Sequence, residues 1–198
     1  APTALYMELD KVEDIIRHNQ DSVVIIDEAY IDFGGKSAID FVNKYDNVIV
    51  VQTYSKSRSM AGLRIGFAIA GERIIKALND VKYSVNSYTL NRPSIELGTI
   101  AVENDSYYQE ITRKVTATRE RSVKALTELG FECLPSGANF IFAKHKSIPG
   151  AKIFDDLRNA GIYVRHFDAP RIDDYLRISI GTDEQMDELF KFIKENYG

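Results

Sequence analysis

Between Glu8 and His18 the apolar residues Leu9, Val12, Ile15 and Ile16 fall on one helical face, and the run Val23-Val24-Ile25-Ile26 that follows is continuous, β-branched and closed by acids. The pattern predicts a helix and then a buried strand. After a loop carrying Gly34 and Gly35, a helix is expected around Ala38 to Lys44, followed by a second continuous strand over Asn47 to Thr53. Ile65 to Ala70 reads as a third strand, and Glu72 to Asp80 as a helix with Ile74, Ile75 and Leu78 turned inward. Continuous apolar strands belong in sheets covered on both faces, and the alternation of strand and helix argues for an α/β layer architecture.

Beyond this unit the texture changes. Asn91 to Asn104 and Ser106 to Leu129 read as long helices; in the second, Tyr108, Ile111, Val115, Ser122, Leu126 and Leu129 recur near helical spacing, and Gly130 supplies a stop. From Phe131 onward, short strands at Phe140 to Ala143, Tyr163 to Arg165 and Leu176 to Ser179 are separated by two helices. One ends at Gly161, and the other starts at a Thr182-x-x-Gln185 capping box with Met186, Leu189, Phe190 and Ile193 inward. The expected layout is an α/β segment over residues 1–104, a connecting helix over 105–130 and a small α+β domain over 131–198.

Composition narrows the function classes. With 198 residues, 44% of them apolar, the chain can bury a core. A net charge of −4 offers no basic excess for nucleic acid. The apolar runs are too short to span a bilayer and no signal pattern opens the chain, so a cytoplasmic protein is expected. A single cysteine, Cys133, precludes an internal disulfide, and His18, His145 and His166 lie too far apart in sequence to suggest a metal site.

Three motifs carry candidate chemistry. Asp27-Glu28-Ala29-Tyr30 stands where the first strand runs out, the end of an α/β strand at which ligands bind. A carboxylate there could hold a proton on a pyridine nitrogen, and a phenol three residues on could reach a ring hydroxyl; alone, an acid after a strand is more often a helix cap or a solvated turn. Thr53-Tyr54-Ser55-Lys56 follows the second strand, with Arg64 eight residues later in Ala61-Gly62-Leu63-Arg64-Ile65-Gly66-Phe67. A lysine fixed near an aldehyde can form an imine and later serve as a base, while Ser55 and Arg64 offer a hydroxyl and a guanidinium for a phosphate. Finally, Tyr175-Leu176-Arg177-Ile178-Ser179 sets an arginine among apolar neighbours, and Arg165 ends another strand. Each needs an anionic partner, either a structural carboxylate or a substrate's carboxylate or phosphate.

In this order the motifs resemble fold type I aminotransferases, over nearly the whole chain. Asp27 to Phe33, Ala61 to Phe67, Gly137-Ala138-Asn139-Phe140, and Gly161 to Arg165 before Leu176-Arg177 are similar to the histidinol-phosphate aminotransferase branch. The resemblance implies part of a mixed, mostly parallel sheet domain covered by helices, plus a small C-terminal domain. It implies pyridoxal 5'-phosphate as cofactor, with Asp27 on the pyridine nitrogen, Tyr30 on the ring hydroxyl, Lys56 as the Schiff-base lysine, and Ser55 and Arg64 on the phosphate. Arg177, assisted by Arg165, would bind the anionic ends of histidinol phosphate and of glutamate or 2-oxoglutarate, in a homodimer. Another aminotransferase or a threonine-phosphate decarboxylase would keep the same cofactor residues, and a non-catalytic anion-binding domain would keep the fold and use Arg165 and Arg177 as its anion site.

Departures from the pattern are also visible. Ala1-Pro2-Thr3-Ala4 looks like the tail of the family's Asn-x-Pro-Thr-Gly motif with alanine for its glycine, and Tyr83-Ser84-Val85-Asn86 differs from the usual Pro-Tyr-Asn-Val-Asn. An upstream part, with further cofactor contacts, is expected to be missing, so this chain alone is not expected to be active.

Overall fold

The computed structural model describes residues 1–198. They form two compact units, Met7–Glu110 and a second made of Ala1–Tyr6 with Ile111–Gly198.

In the first unit, α1 (Leu9–His18) precedes β1 (Val24–Asp27), β2 (Val48–Thr53) and β3 (Gly66–Ala70), followed by α2 (Glu72–Val85) and α3 (Arg92–Glu103). The sheet is mixed. β1 runs parallel to β2, with Val24 opposite Val48 and Asp27 opposite Val51, and β3 runs antiparallel to β2, with Thr53 opposite Gly66. Val12 and Ile16 of α1 pack with Ala38, Val48 and Val50, and Val24 and Ile26 join that cluster. Their strand neighbours alternate away from it, so Val23 and Ile25 stay 54% and 64% exposed. Successive residues of this continuous apolar run therefore point to opposite sides of β1, and one side is covered within these residues.

Two boundaries also differ from expectation. Ile39–Asn43 is a 3-10 helix, a segment too short to gain from α-helical propagation. α2 continues past Asp80 to Val85 because no breaker stands before Asn86, and it leaves Val81, Tyr83 and Val85 exposed.

In the second unit, β4 (Phe131–Cys133), β5 (Phe140–His145), β7 (Leu176–Ser179) and β6 (Arg165–His166) form an antiparallel sheet in that spatial order. Its helices are the greater part of α4 (Asp105–Glu128), α5 (Gly150–Asn159) and α6 (Asp183–Tyr197). Leu126, Ile141, Ile153, Leu157, Leu176, Ile178 and Ile193 close a core in which each is at most 2% exposed. α4 stops at Gly130, whose φ of 92° is one that side chains disfavour. The expected Thr182–Gln185 capping box opens α6 in both directions. The strand expected over Tyr163 to Arg165 pairs only at Arg165 and His166, after a turn in which Gly161 takes φ 79°. No helix is long and apolar enough to cross a membrane.

Candidate active site

The topology of the first unit gathers its candidate residues at one sheet edge. β1 and β2 are parallel neighbours, so Asp27 at the end of one and Ser55 and Lys56 just past the end of the other emerge on the same side. β3 is antiparallel, so its beginning lies at that edge too, and Arg64 stands two residues before it. Four residues separated by as many as 37 positions in sequence are thereby placed at a strand-end crevice of the kind that binds ligands in open α/β sheets.

Local bonding then shapes each position. Asp27 is exposed, and its Oδ1 accepts from Ala29 N–H at 3.0 Å. Tyr30 leads into a 3-10 turn, Ile31–Phe33, seated by buried Phe33. The Lys56 ammonium lies 5.2 Å from the centroid of the Tyr30 ring, a cation–π approach. Thr53 Oγ1 accepts from Ser55 N–H at 3.1 Å and lies 2.9 Å from Ser55 Oγ, which orients the hydroxyl. Arg64 adopts a left-handed backbone with φ 56°, uncommon for a side chain of its size, and donates from Nη1 to Ala61 O at 2.8 Å. Such strain concentrates at functional positions.

Supporting residues carry no chemistry of their own and were not singled out from sequence. Glu28 is 7% exposed, and its carboxylate accepts from Ala38 N–H at 2.6 Å, Ser37 Oγ at 2.7 Å and Gln52 Nε2 at 2.9 Å. Ser57 Oγ donates to Asp32 Oδ2. Arg58 pairs with Asp105 and lies over the Tyr108 ring. The only sequence signal was adjacency: Glu28 and Asp32 stand inside the Asp27 to Phe33 segment, and Ser57 and Arg58 beside Lys56.

The second unit holds the two remaining candidates. Arg165 and Arg177 are directly opposite one another on β6 and β7, and Phe142 is opposite Arg177 on the other side. Each guanidinium lies over an aromatic ring, Arg177 over Phe140 at 5.3 Å and Arg165 over Phe167 at 5.5 Å. Arg177 Nε is buried without a hydrogen-bond partner. Like charges facing across a ladder repel, and a buried unmet donor is costly; an anion bound between the two arginines would relieve both. No group of three or more His, Cys, Asp or Glu side chains is placed to hold a metal ion.

A histidinol-phosphate aminotransferase of Clostridium acetobutylicum is 51% identical over 195 residues, which are 98% of this chain and 55% of that protein. Among solved structures, histidinol-phosphate aminotransferase of Sinorhizobium meliloti, in complex with pyridoxal-5'-phosphate, superposes with a TM-score of 0.85 at 24% identity over 98% of this chain and 55% of its own, a likeness of fold. A decarboxylase from Sulfurospirillum multivorans matches with a TM-score of 0.84 at 25% identity over 100% of this chain and 59% of its own. The chain spans about half the length of the curated relatives it matches. The model of the family "aminotransferase class I and II" matches residues 1–193, and the chain belongs to that family.

Proposed function

We propose that the chain is part of a pyridoxal-phosphate-dependent aminotransferase, a histidinol-phosphate transaminase that moves the amino group of histidinol phosphate to 2-oxoglutarate, giving imidazole acetol phosphate and glutamate. The observation that carries this reading is the convergence of Asp27, Ser55, Lys56 and Arg64 on one sheet edge. The donor set suits the cofactor: a carboxylate for a protonated ring nitrogen, a phenol in Tyr30 for the ring oxygen, an amine for the aldehyde, and a hydroxyl with a guanidinium for the phosphate. When bound, pyridoxal phosphate supplies an electron-withdrawing ring that spreads the charge left at the substrate α-carbon.

The residues of the chain then have distinct tasks. Asp27 keeps the ring nitrogen protonated by placing a negative charge beside it. Lys56 would take the proton from the substrate carbon that bears the amine, as general base, and hold it for return as general acid. Tyr30 holds the ring oxygen and flanks the lysine. Ser55 and Arg64 fix the phosphate, so the ring cannot slide during proton transfer. Arg177, with Arg165, takes the anionic end of each substrate in turn, phosphate or carboxylate. On this reading residues 1–104 belong to the cofactor-binding domain, 105–130 are the connecting helix and 131–198 are the small domain, in a cytoplasmic homodimer.

A second reading is a decarboxylase, supported by the likeness to the Sulfurospirillum decarboxylase, with a phosphorylated amino acid as the substrate that the Arg165 and Arg177 pair would suit. A purely anion-binding role would leave the set Asp27, Tyr30, Ser55, Lys56 and Arg64 without a task. Adding histidinol phosphate to the cofactor-loaded full-length protein separates these. Transamination moves the cofactor absorbance from the aldehyde to the amine form, and 2-oxoglutarate restores it. Carbon dioxide release from a phosphorylated amino acid, without that cycle, would favour the decarboxylase.

A further inference from the structure

We propose that Asp32 and Ser57 are positioning residues, whose side-chain hydrogen bond docks the loop bearing Lys56 onto the turn bearing Tyr30 and so sets where the Lys56 ammonium sits. Their relevance to catalysis rests on the function proposed above.

Lys56 has a long, flexible side chain, and no carboxylate of the chain forms an ion pair or hydrogen bond with its ammonium; its close partner is the Tyr30 ring at 5.2 Å. Something else must hold the two together. The loop between β2 and β3 is closed on itself: Tyr54 N–H donates to Ile65 O at 3.1 Å, Met60 N–H to Tyr54 O at 2.9 Å and Ser59 N–H to Lys56 O at 3.0 Å. A loop bonded in this way moves as one piece, so fixing one side chain fixes its neighbours. Ser57 is that side chain. It is 6% exposed, and its hydroxyl donates to Asp32 Oδ2.

On the other side, Asp32 stands in the 3-10 turn that Tyr30 leads into and buried Phe33 anchors. The base of that segment is tied to the sheet by Glu28, whose carboxylate accepts from Gln52 of β2 and from Ala38 N–H. Two adjacent pairs thus face each other, Tyr30 with Lys56 and Asp32 with Ser57. A hydrogen bond to an ionised acceptor is among the stronger polar contacts. It is also well suited to a lysine that must leave a bond and return to the same place.

The test reads the geometry without cofactor. In the chain labelled with [ε-13C]lysine, and with the Lys56 signal assigned by Lys56→Arg, the Tyr30 ring current displaces the Lys56 methylene resonance. We expect Ser57→Ala and Asp32→Ala each to remove most of that displacement and to speed amide exchange at residues 55–60 about tenfold. Ser57→Thr, which keeps the hydroxyl, retains both. Val12→Ala, a core change of the same unit, leaves the displacement intact. An unchanged Lys56 resonance in Ser57→Ala and Asp32→Ala overturns the proposal; Asp32 is exposed, so its variant serves should Ser57→Ala fail to fold. A parallel titration of the unsubstituted full-length protein with pyridoxal phosphate checks the function separately. Loss of the displacement in the variants, with no cofactor binding by the parent, sustains the docking contact and sinks the cofactor role.

Discussion

The two units of this chain treat their apolar residues differently. In Ala1–Tyr6 with Ile111–Gly198, the sheet and its helices enclose a continuous core, and Leu5 and Tyr163 are its only strongly exposed large apolar side chains. In Met7–Glu110 the enclosed cluster is small, while residues such as Ile25, Val81, Val85, Tyr88, Ile95 and Ile100 are more than half exposed. The second unit can hold itself together by burial. The first keeps its order through backbone pairing and polar ties, Glu28 to Gln52 and Ala38 and Arg58 to Asp105, and these ties sit around the candidate chemistry. Polar ties thus surround Asp27, Ser55, Lys56 and Arg64, while Arg165 and Arg177 stand on a sheet with an enclosed core.

Residues 111–198 expressed alone should unfold cooperatively in denaturant, while 7–110 alone should bind a hydrophobic dye and show no sharp transition. The reverse outcome would break the contrast. Within the second unit, Ile141→Ala, at a fully buried position of the central strand, should cost about 2–5 kcal/mol of unfolding free energy. Ile25→Ala, exposed on β1, should change the midpoint by less than about 0.5 kcal/mol. Comparable losses at both positions would show that the exposed face of β1 is covered in solution.

The arginine pair of the second unit is expected to bind anions. Inorganic phosphate, followed by NMR of arginine side chains, should perturb Arg177 and Arg165, and Arg177→Ala should weaken that binding about tenfold or more. Phosphate that leaves both signals unmoved would remove the anion site from the second unit.

The smallest effect concerns acid. Lys44 and Tyr45 bond the Glu13 carboxylate and hold it down to about 2 from an ordinary 4.5. Because the folded value is depressed, the stabilisation is present above 4.5 and fades as pH falls toward 2. Lys44→Met should flatten the acid limb of the first unit's stability curve between those values. An unaltered limb would mean that the pair adds nothing in solution, the common case for exposed ions.

The fold was legible where periodicity was strong: α1, β2, β3, the capping box of α6 and the stop at Gly130 follow from residue pattern alone. The face of β1 was not, because four consecutive apolar residues cannot say which of them meet a helix. The candidate site was legible as residue types after strands. Its assembly depends on register, which sequence spacing leaves open. Arg64 reaches the edge only because β3 is antiparallel, and Arg165 faces Arg177 only because β6 pairs at that residue. Asp32 and Ser57 were invisible for a simpler reason: a serine and an aspartate in loops look solvated until one of them is found buried.

In the proposed function, Lys56 is the residue that engages the cofactor's aldehyde. The direct measurement is to add pyridoxal phosphate to the full-length protein, reduce with borohydride and map the labelled peptide, alongside Lys56→Ala. One labelled site, Lys56, is expected, with the accompanying near-visible absorbance lost in the variant. Label spread over other lysines, or retained when Lys56 is replaced, would contradict it.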